Sequence, residues 1–354
     1  MAGDGYRVGV LGATGAVGST ILRLLAEREF PVAELVPFAS ERSEGSPVPF
    51  AGGEVRCQVP SEQAADGLDL VLASAGGSVS ERWAPVFAAA GAIVVDNTSF
   101  WRMHDDVPLV IPEVNPDALD GHHGIVANPN CSTMQMVMAL APLHAAVGLE
   151  RIVVCTYQSV SGTGNRAIAE LREQTRAVLD GGTPKADVYP HPIAFNVLPQ
   201  VERFADGDDY TTEERKMMAE TRKILGVTDE HDLPISATCA RVPVVTGHSE
   251  AVNVRTKQPL SVAQCRDLLA EAPGVLVLDD PADGIYPMAT EAAGRDEVLV
   301  GRIRRDPGDE RTLNMWVVGD NLRKGAATNT VQIAELLHDR NLLGHGAPAS
   351  VPFA

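Results

Sequence analysis

Short apolar runs separated by stretches of helical periodicity fill the first third of the chain. Tyr6-Arg7-Val8-Gly9-Val10-Leu11 is a compact strand signal, Ile21, Leu22, Leu24 and Leu25 follow at helical spacing, and residues 33–39, 68–73 and 92–97 repeat the strand signal. Strands alternating with helices predict an α/β fold, a Rossmann-like doubly wound parallel sheet over about the first 130 residues. Residues 124–129 read as a further short strand closed by Pro129, and the apolar positions from Met134 onward open a helix.

The pattern then changes. Residues 151–160 form a long alternating β run, broken at Ser161-Gly162-Thr163-Gly164; a helix with Ile168, Leu171 and Val178 follows, and residues 186–200 read as loop. Thr211-Thr212-Glu213-Glu214 carries a capping-box-like signal for a helix that stops near Gly226. Residues 235–245 read as a strand interrupted by Pro243, with Gly247-His248-Ser249 in a turn after it, and runs at 250–256, 274–279, 297–304 and 311–318 complete an α+β domain with a mixed sheet. Arg302, Arg304 and Arg305 read as a solvated face. The helix predicted over 330–338 has an apolar stripe that must pack on something; placing it back on the first domain gives a cofactor-binding domain of residues 1–130 and 322–354 and a catalytic and dimerisation domain of residues 131–321.

Candidate chemistry enters at the turns. Gly12-Ala13-Thr14-Gly15-Ala16-Val17-Gly18 lies between a strand and a helix, the setting in which glycines let the backbone approach a pyrophosphate at a helix N-terminus. The second strand ends in Ser40-Glu41-Arg42-Ser43. An acidic residue there usually holds ribose hydroxyls, and an Arg accommodates a 2′-phosphate, so Arg42 with Ser40 and Ser43 points to NADP, although Glu41 is an awkward neighbour. Ser74-Ala75-Gly76 forms a second small-residue turn. Arg102 follows the C-terminal end of a strand, the side on which open α/β sheets bind ligands, and is a candidate anion clamp.

Cys131 follows Asn128-Pro129-Asn130 at the start of a helix. The positive end of the helix dipole and the unpaired N–H groups there favour a thiolate, which makes Cys131 a candidate nucleophile. Cys57, Cys131, Cys155, Cys239 and Cys265 are scattered, with no CxxC pair and no Cys/His cluster at metal spacing, so reduced thiols and no metal are expected.

The formal charge of −18 argues against nucleic acid or acidic membrane surfaces as partners, and requires local cations for any anionic substrate. There is no basic segment leading into a long apolar run and no stretch of membrane-span length, so a cytoplasmic location is expected.

The Gly12–Gly18 turn, Asn128-Pro129-Asn130-Cys131, Gln158 with Ser161-Gly162-Thr163-Gly164, Arg241-Val242-Pro243-Val244, Gly247-His248-Ser249 and Asp320-Asn321-Leu322-Arg323-Lys324-Gly325 together resemble the aspartate-semialdehyde dehydrogenase family. The likeness covers nearly the whole chain. It implies NADPH-dependent reductive dephosphorylation of L-aspartyl-4-phosphate to L-aspartate-4-semialdehyde and phosphate, in the pathway to lysine, methionine and threonine. In that resemblance Cys131 forms a thioester, His248 is the general acid/base and Gln158 orients the substrate or the thiolate. Arg241 grips the substrate α-carboxylate, Glu213 faces its α-ammonium group, Arg102 and Lys216 bind the leaving phosphate, and Asn130 helps to bind phosphate. Gly12, Thr14, Gly15, Ala16, Val17, Gly18, Ser40, Arg42, Ser43, Ser74, Gly76, Ser161, Gly162 and Asn321 are the expected cofactor contacts. A homodimer or a pair of dimers is implied, burying the second-domain sheet.

Two other readings stay open. A reductase of N-acetylglutamyl phosphate has the same chemistry, but its substrate lacks a free ammonium to meet Glu213. A noncatalytic dinucleotide-binding regulator predicts cofactor binding with Cys131 dispensable.

Overall fold

The structure is a computed structural model and describes residues 5–344. The chain falls into two compact units, one running to Pro129 and resuming at Ala326, the other spanning Asn130–Gly325.

The first unit carries β1 (Tyr6–Leu11), β2 (Val32–Phe38), β3 (Pro47–Phe50), β4 (Gly53–Arg56), β5 (Leu70–Ala73), β6 (Ile93–Asp96) and β7 (Ile125–Ala127). Five of these make one parallel sheet in the order β2-β1-β5-β6-β7, and β3 with β4 forms an antiparallel hairpin that the apolar pattern does not reveal. Because β1 has β2 on one side and β5 on the other, the winding reverses at β1, and ligands bind beyond the strand ends at such a switch point. Helices α1 (Ala16–Glu27), α2 (Glu62–Ala65) and α3 (Gly77–Ala89) connect the strands. The C-terminal helix, Thr328–Asp339, belongs to this unit: Val331, Ile333, Ala334 and Leu337 share a core with Val8, Val10, Ile21, Leu24 and Leu72. Side chains of this kind contribute about 1.5–3 kcal/mol each when fully buried. The helix starts two residues earlier than its apolar stripe predicts, after a π-helical turn at Arg323–Ala327.

The second unit carries β8 (Leu149–Gln158), β9 (Ile235–Arg241), β10 (His248–Thr256), β11 (Val275–Val277), β12 (Val298–Asp306) and β13 (Asp309–Gly319), in the order β11-β12-β13-β10-β8-β9. The sheet is mixed: β11–β12 and β8–β9 pair in parallel, and the other neighbours pair antiparallel. Around it lie α4 (Cys131–Val147), α5 (Asn165–Leu179), α6 (Thr212–Ile224), α7 (Val262–Glu271) and the short α8 (Ala289–Ala292). Helix α4 is apolar on all sides, with Met134, Met136, Val137, Met138, Ala139, Leu140 and Leu143 buried, which is the signature of a central helix rather than a surface one. The Thr211 hydroxyl and the Glu214 carboxylate close a capping box at the start of α6.

Two boundaries differ from the sequence expectation. The strand expected over 235–245 ends at Arg241, because Pro243 has no N–H to offer a ladder and the chain turns at Val242–Val244. His248, expected in a turn, is the first residue of β10 and pairs with Gly319; Gly247, at φ +95°, makes the turn by itself. No helix among the described residues is long and apolar enough to cross a membrane.

Candidate active site

In the first unit the Gly12–Gly18 turn sits at the end of β1. Gly12 has φ +88°, and a side chain there would run into the Ser74 backbone at 2.7 Å. A Cβ on Gly18 would lie 2.1 Å from the Gly12 carbonyl oxygen, so Gly18 is there to let α1 pack on the turn. Beside this turn opens a cavity of about 1090 Å³, large enough for a dinucleotide, lined by Gly12, Thr14, Gly15, Ser40, Glu41, Arg42 and Ser74. Ala75 and the 59–63 segment line it as well, together with Arg82 and Trp83 of α3, which stack at 4.9 Å and were not singled out in the sequence. Ala16, Val17, Gly18, Ser43 and Gly76, all expected as cofactor contacts, are not among the lining residues. Ser43 instead closes the turn, its N–H donating to the Ser40 carbonyl at 2.8 Å.

Arg102, also in this unit, is buried. Its Nε donates to the Asn128 carbonyl at 2.9 Å and one terminal nitrogen donates to the Asn97 carbonyl at 2.7 Å, so backbone oxygens fix the guanidinium plane. Asp96 lies close by, fully buried; desolvation raises its pKa, against hydrogen bonds from Ser80 and Thr98.

In the second unit Cys131 is the first residue of α4, half-buried and outside any disulfide. Asn130 is the N-cap: its Oδ1 accepts from the N–H groups of Ser132 at 2.9 Å and Thr133 at 3.1 Å. Those donors were expected to be unpaired beside the sulfur; the cap takes them, and what the helix start offers Cys131 is its dipole. The Asn130 Nδ2 donates to both carboxylate oxygens of Glu213 at 3.0 Å, and its backbone N–H donates to Glu220 at 2.7 Å. Asn130 therefore ties the start of α4 to α6, and its amide is committed to that task.

Three of the expected site residues form one row across the mixed sheet. Arg241 pairs with Gln158, and His248 with Gly319. Continuing the Ser249–Tyr157 rung by one step brings His248 level with Gln158. Paired residues share a sheet face, so Arg241, Gln158 and His248 stand side by side. The Gln158 Nε2 donates to Glu213 at 2.9 Å. Arg241 donates from one terminal nitrogen to the Ser159 carbonyl at 2.7 Å, while its buried Nε has no partner. A Cβ on Gly162 would stand 3.2 Å from the Arg241 guanidinium and 3.3 Å from the His248 ring, so Gly162 leaves open the space between these two groups.

His248 is fully buried. Its Nδ1 accepts from the Ser159 N–H at 3.0 Å and its Nε2 has no partner. Burial, reinforced by the Arg241 charge, holds its pKa well below the ordinary value of 6.5. Asn321 braces this arrangement: its Oδ1 accepts from Ser159 Oγ at 3.0 Å, Ser161 Oγ at 3.1 Å and the Gly247 N–H at 3.0 Å. Ser161 and Asn321, expected as cofactor contacts, thus belong to the net that holds His248. Lys216 pairs with Glu202 at 2.5 Å and lies 3.8 Å from Glu213.

Sequence reasoning missed Ser159, Gln135 and Glu250. Gln135 is one turn on from Cys131 and donates to the His248 carbonyl at 3.3 Å; Glu250 is two residues on from His248, so strand alternation alone would have put it on the same face.

Two family models match the chain, "Semialdehyde dehydrogenase, NAD binding domain" over residues 7–122 and "Semialdehyde dehydrogenase, dimerisation domain" over residues 140–324. The aspartate-semialdehyde dehydrogenase of Aquifex aeolicus is 53% identical over 96% of this chain and 100% of its own length. A crystal structure of aspartate semialdehyde dehydrogenase II from Vibrio cholerae complexed with ASA superposes with a TM-score of 0.91 at 48% identity, covering 95% of this chain and 98% of that one. The Candida albicans aspartate semialdehyde dehydrogenase structure with NADP gives a TM-score of 0.74 at 27% identity, over 95% and 99% of the two chains. This chain belongs to the aspartate-semialdehyde dehydrogenase family.

Proposed function

We propose that this chain converts L-aspartyl-4-phosphate to L-aspartate-4-semialdehyde and phosphate at the expense of NADPH, in the cytoplasm, on the route to lysine, methionine and threonine. The observation that carries this reading is the buried Arg241–Gln158–His248 row, with Glu213 bonded to its middle member. A buried guanidinium with an unfilled donor suits an α-carboxylate, and a buried carboxylate suits an α-ammonium group. Together they select a free amino acid, which favours the aspartyl over the N-acetylglutamyl substrate.

The Cys131 thiolate attacks the acyl carbon; the C–S bond forms as the C–O bond to phosphate breaks and phosphate leaves with the electron pair. Arg102 and Lys216 serve as its cationic partners, as the family resemblance implies. Bound NADPH supplies the hydride that reduces the thioester. Gly12, Thr14, Gly15 and Ser74, which line the cavity, would hold its pyrophosphate end, and Ser40 and Arg42 would hold its 2′-phosphate. The Nε2–H of neutral His248 donates to the oxyanion of the thiohemiacetal, which collapses to the aldehyde and returns the sulfur as thiolate. The departing phosphate takes from solvent the one proton that the overall reduction consumes, so His248 acts here as a hydrogen-bond donor with no net proton transfer, in place of the acid/base role that the resemblance implies. A homodimer is the working assembly, formed through the dimerisation domain.

The test is the reverse reaction. With aspartate semialdehyde, phosphate and NADP the unmodified protein produces NADPH, and Cys131→Ala abolishes this while NADP affinity, followed by fluorescence titration, stays within about two-fold. Turnover surviving in Cys131→Ala ends the thioester mechanism; turnover of N-acetylglutamate semialdehyde in preference moves the assignment to the neighbouring reductase.

A further inference from the structure

The carbonyls that hold Arg102 belong to Asn97 and Asn128, and these two residues stand where the parallel ladder of β6 and β7 has run out. Its last rung joins Asp96 to Ala127. One residue further on, the Asn128 N–H still donates to the Asp96 carbonyl at 2.7 Å, and beyond it side chains replace the backbone: the Asn128 Nδ2 donates to the Asn97 Oδ1 at 2.9 Å. That amide contact ties the two strand ends together at the place the Arg102 guanidinium spans.

The C-terminal helix sets the direction of the contact. Asn329, wholly buried, donates the two hydrogens of its Nδ2 to the Val110 carbonyl at 2.9 Å and to the Asn128 Oδ1 at 2.7 Å. An amide whose oxygen accepts on one side presents its nitrogen on the other, so Asn329 turns the Asn128 Nδ2 towards Asn97. The Asn97 Oδ1 receives the Thr330 hydroxyl as well, at 2.9 Å, and the Asn97 Nδ2 donates to the Ala73 carbonyl at 3.1 Å. Flipping the Asn128 amide would set nitrogen against nitrogen at Asn329 and oxygen against oxygen at Asn97, which a buried network cannot make good elsewhere.

We propose that Asn329 is a positioning residue for Arg102: through the Asn128 and Asn97 side chains it fixes the two carbonyls that aim the guanidinium, and with them the cation that meets phosphate. Thr330 supports the same contact from the Asn97 side. The inference rests on the reading of Arg102 as a phosphate contact. It gives the C-terminal helix a task in the reaction beyond the core that it fills.

Steady-state kinetics of the reverse reaction, with phosphate, aspartate semialdehyde and NADP varied in turn, test this on Asn329→Ala, Thr330→Val, Arg102→Lys and the double variant Arg102→Lys/Asn329→Ala. Loss of the Asn329 donors raises the phosphate KM roughly ten-fold and leaves the KM values for NADP and aspartate semialdehyde within about two-fold. Thr330→Val preserves volume and the Asn128–Asn97 bond, so it raises the phosphate KM by only about three-fold. In the Arg102→Lys background Asn329→Ala adds less than about two-fold, because residues that act through one group are not additive. A phosphate KM that Asn329→Ala leaves unchanged while Arg102→Lys raises it overturns the proposal. So do KM values that rise together for all three substrates, full additivity in the double variant, or, should Asn329→Ala fail to fold, an unchanged phosphate KM in Thr330→Val. An unchanged phosphate KM in Arg102→Lys overturns instead the reading of Arg102 itself, and the proposal with it.

Discussion

The backbone N–H of Ser159 donates to Nδ1 of His248 at 3.0 Å, and this contact decides which nitrogen of the ring carries the proton. An amide can only donate, so Nδ1 presents its lone pair and the neutral ring has its hydrogen on Nε2. The ring is thereby prepared as a hydrogen-bond donor through the nitrogen that has no partner within the protein. Asn321 secures the contact from behind by holding the Ser159 hydroxyl and the Gly247 N–H at once. Loss of this order would leave the ring free to turn, and with it the one donor that the site aims at developing charge.

A stability measurement reads the protonation of His248 directly. Burial depresses its pKa in the folded state, so the folded protein keeps the ring neutral where the unfolded chain, titrating near 6.5, takes up a proton. The unfolded state then binds more protons, and stability falls as pH drops below about 6.5. Urea denaturation of the unmodified protein and of His248→Asn, compared at about pH 7.5 and about pH 5.5, is expected to show the unmodified protein losing more stability on acidification than the variant. Parallel losses in both would mean that the ring is protonated in the folded state.

Gly325 stands against the nucleophile. A Cβ built on it would lie 2.9 Å from the Cβ of Cys131, closer than such contacts occur, and a tight 3.3 Å from the Asp320 carbonyl oxygen, with backbone on one side and a helix start on the other. Gly325→Ala must therefore displace the sulfur by a few tenths of an ångström or more. Misplacement of a reacting atom by about 1 Å costs up to roughly a hundred-fold in rate. The variant is expected to lower kcat by ten- to a hundred-fold on that basis while NADP affinity is retained. A kcat equal to that of the unmodified protein would show that the π-helical turn yields in place of Cys131.

The legible part of this molecule was local. The parallel sheet follows from apolar runs spaced by helical periods, the helix start at Cys131 from a polar turn before an apolar run, and the place of Arg42 beside the cavity from its position after the second strand. What could not be read was register. Gln158, Arg241 and His248 come from three strands whose alignment is set by pairing between segments far apart in sequence, so nothing in the 158, 241 or 248 neighbourhood announces that they share a row. For the same reason Glu250 passed as one acid in a β run. Asn130 and Asn321 lie in motifs that the family resemblance ties to ligands, and each spends its amide on the scaffold. Such residues lie close to the chemistry and act on it by holding something else.

Arg42 offers a test that separates the two ends of the cofactor. It is exposed and lines the cavity beside the Gly12–Gly18 turn together with Ser40 and Glu41. A guanidinium meeting a 2′-phosphate makes charge-assisted hydrogen bonds, each worth about 1.5–3 kcal/mol, or roughly ten- to a hundred-fold in affinity. NAD lacks that phosphate and gives Arg42 nothing to hold. Glu41, one residue away, opposes the phosphate and suits ribose hydroxyls, so discrimination between the two cofactors depends on Arg42 outweighing it. Arg42→Ala is expected to lower kcat/KM for NADP by about ten- to a hundred-fold while that for NAD changes by less than about two-fold. Equal losses with both cofactors would place Arg42 away from the 2′-phosphate and make it a support of the turn.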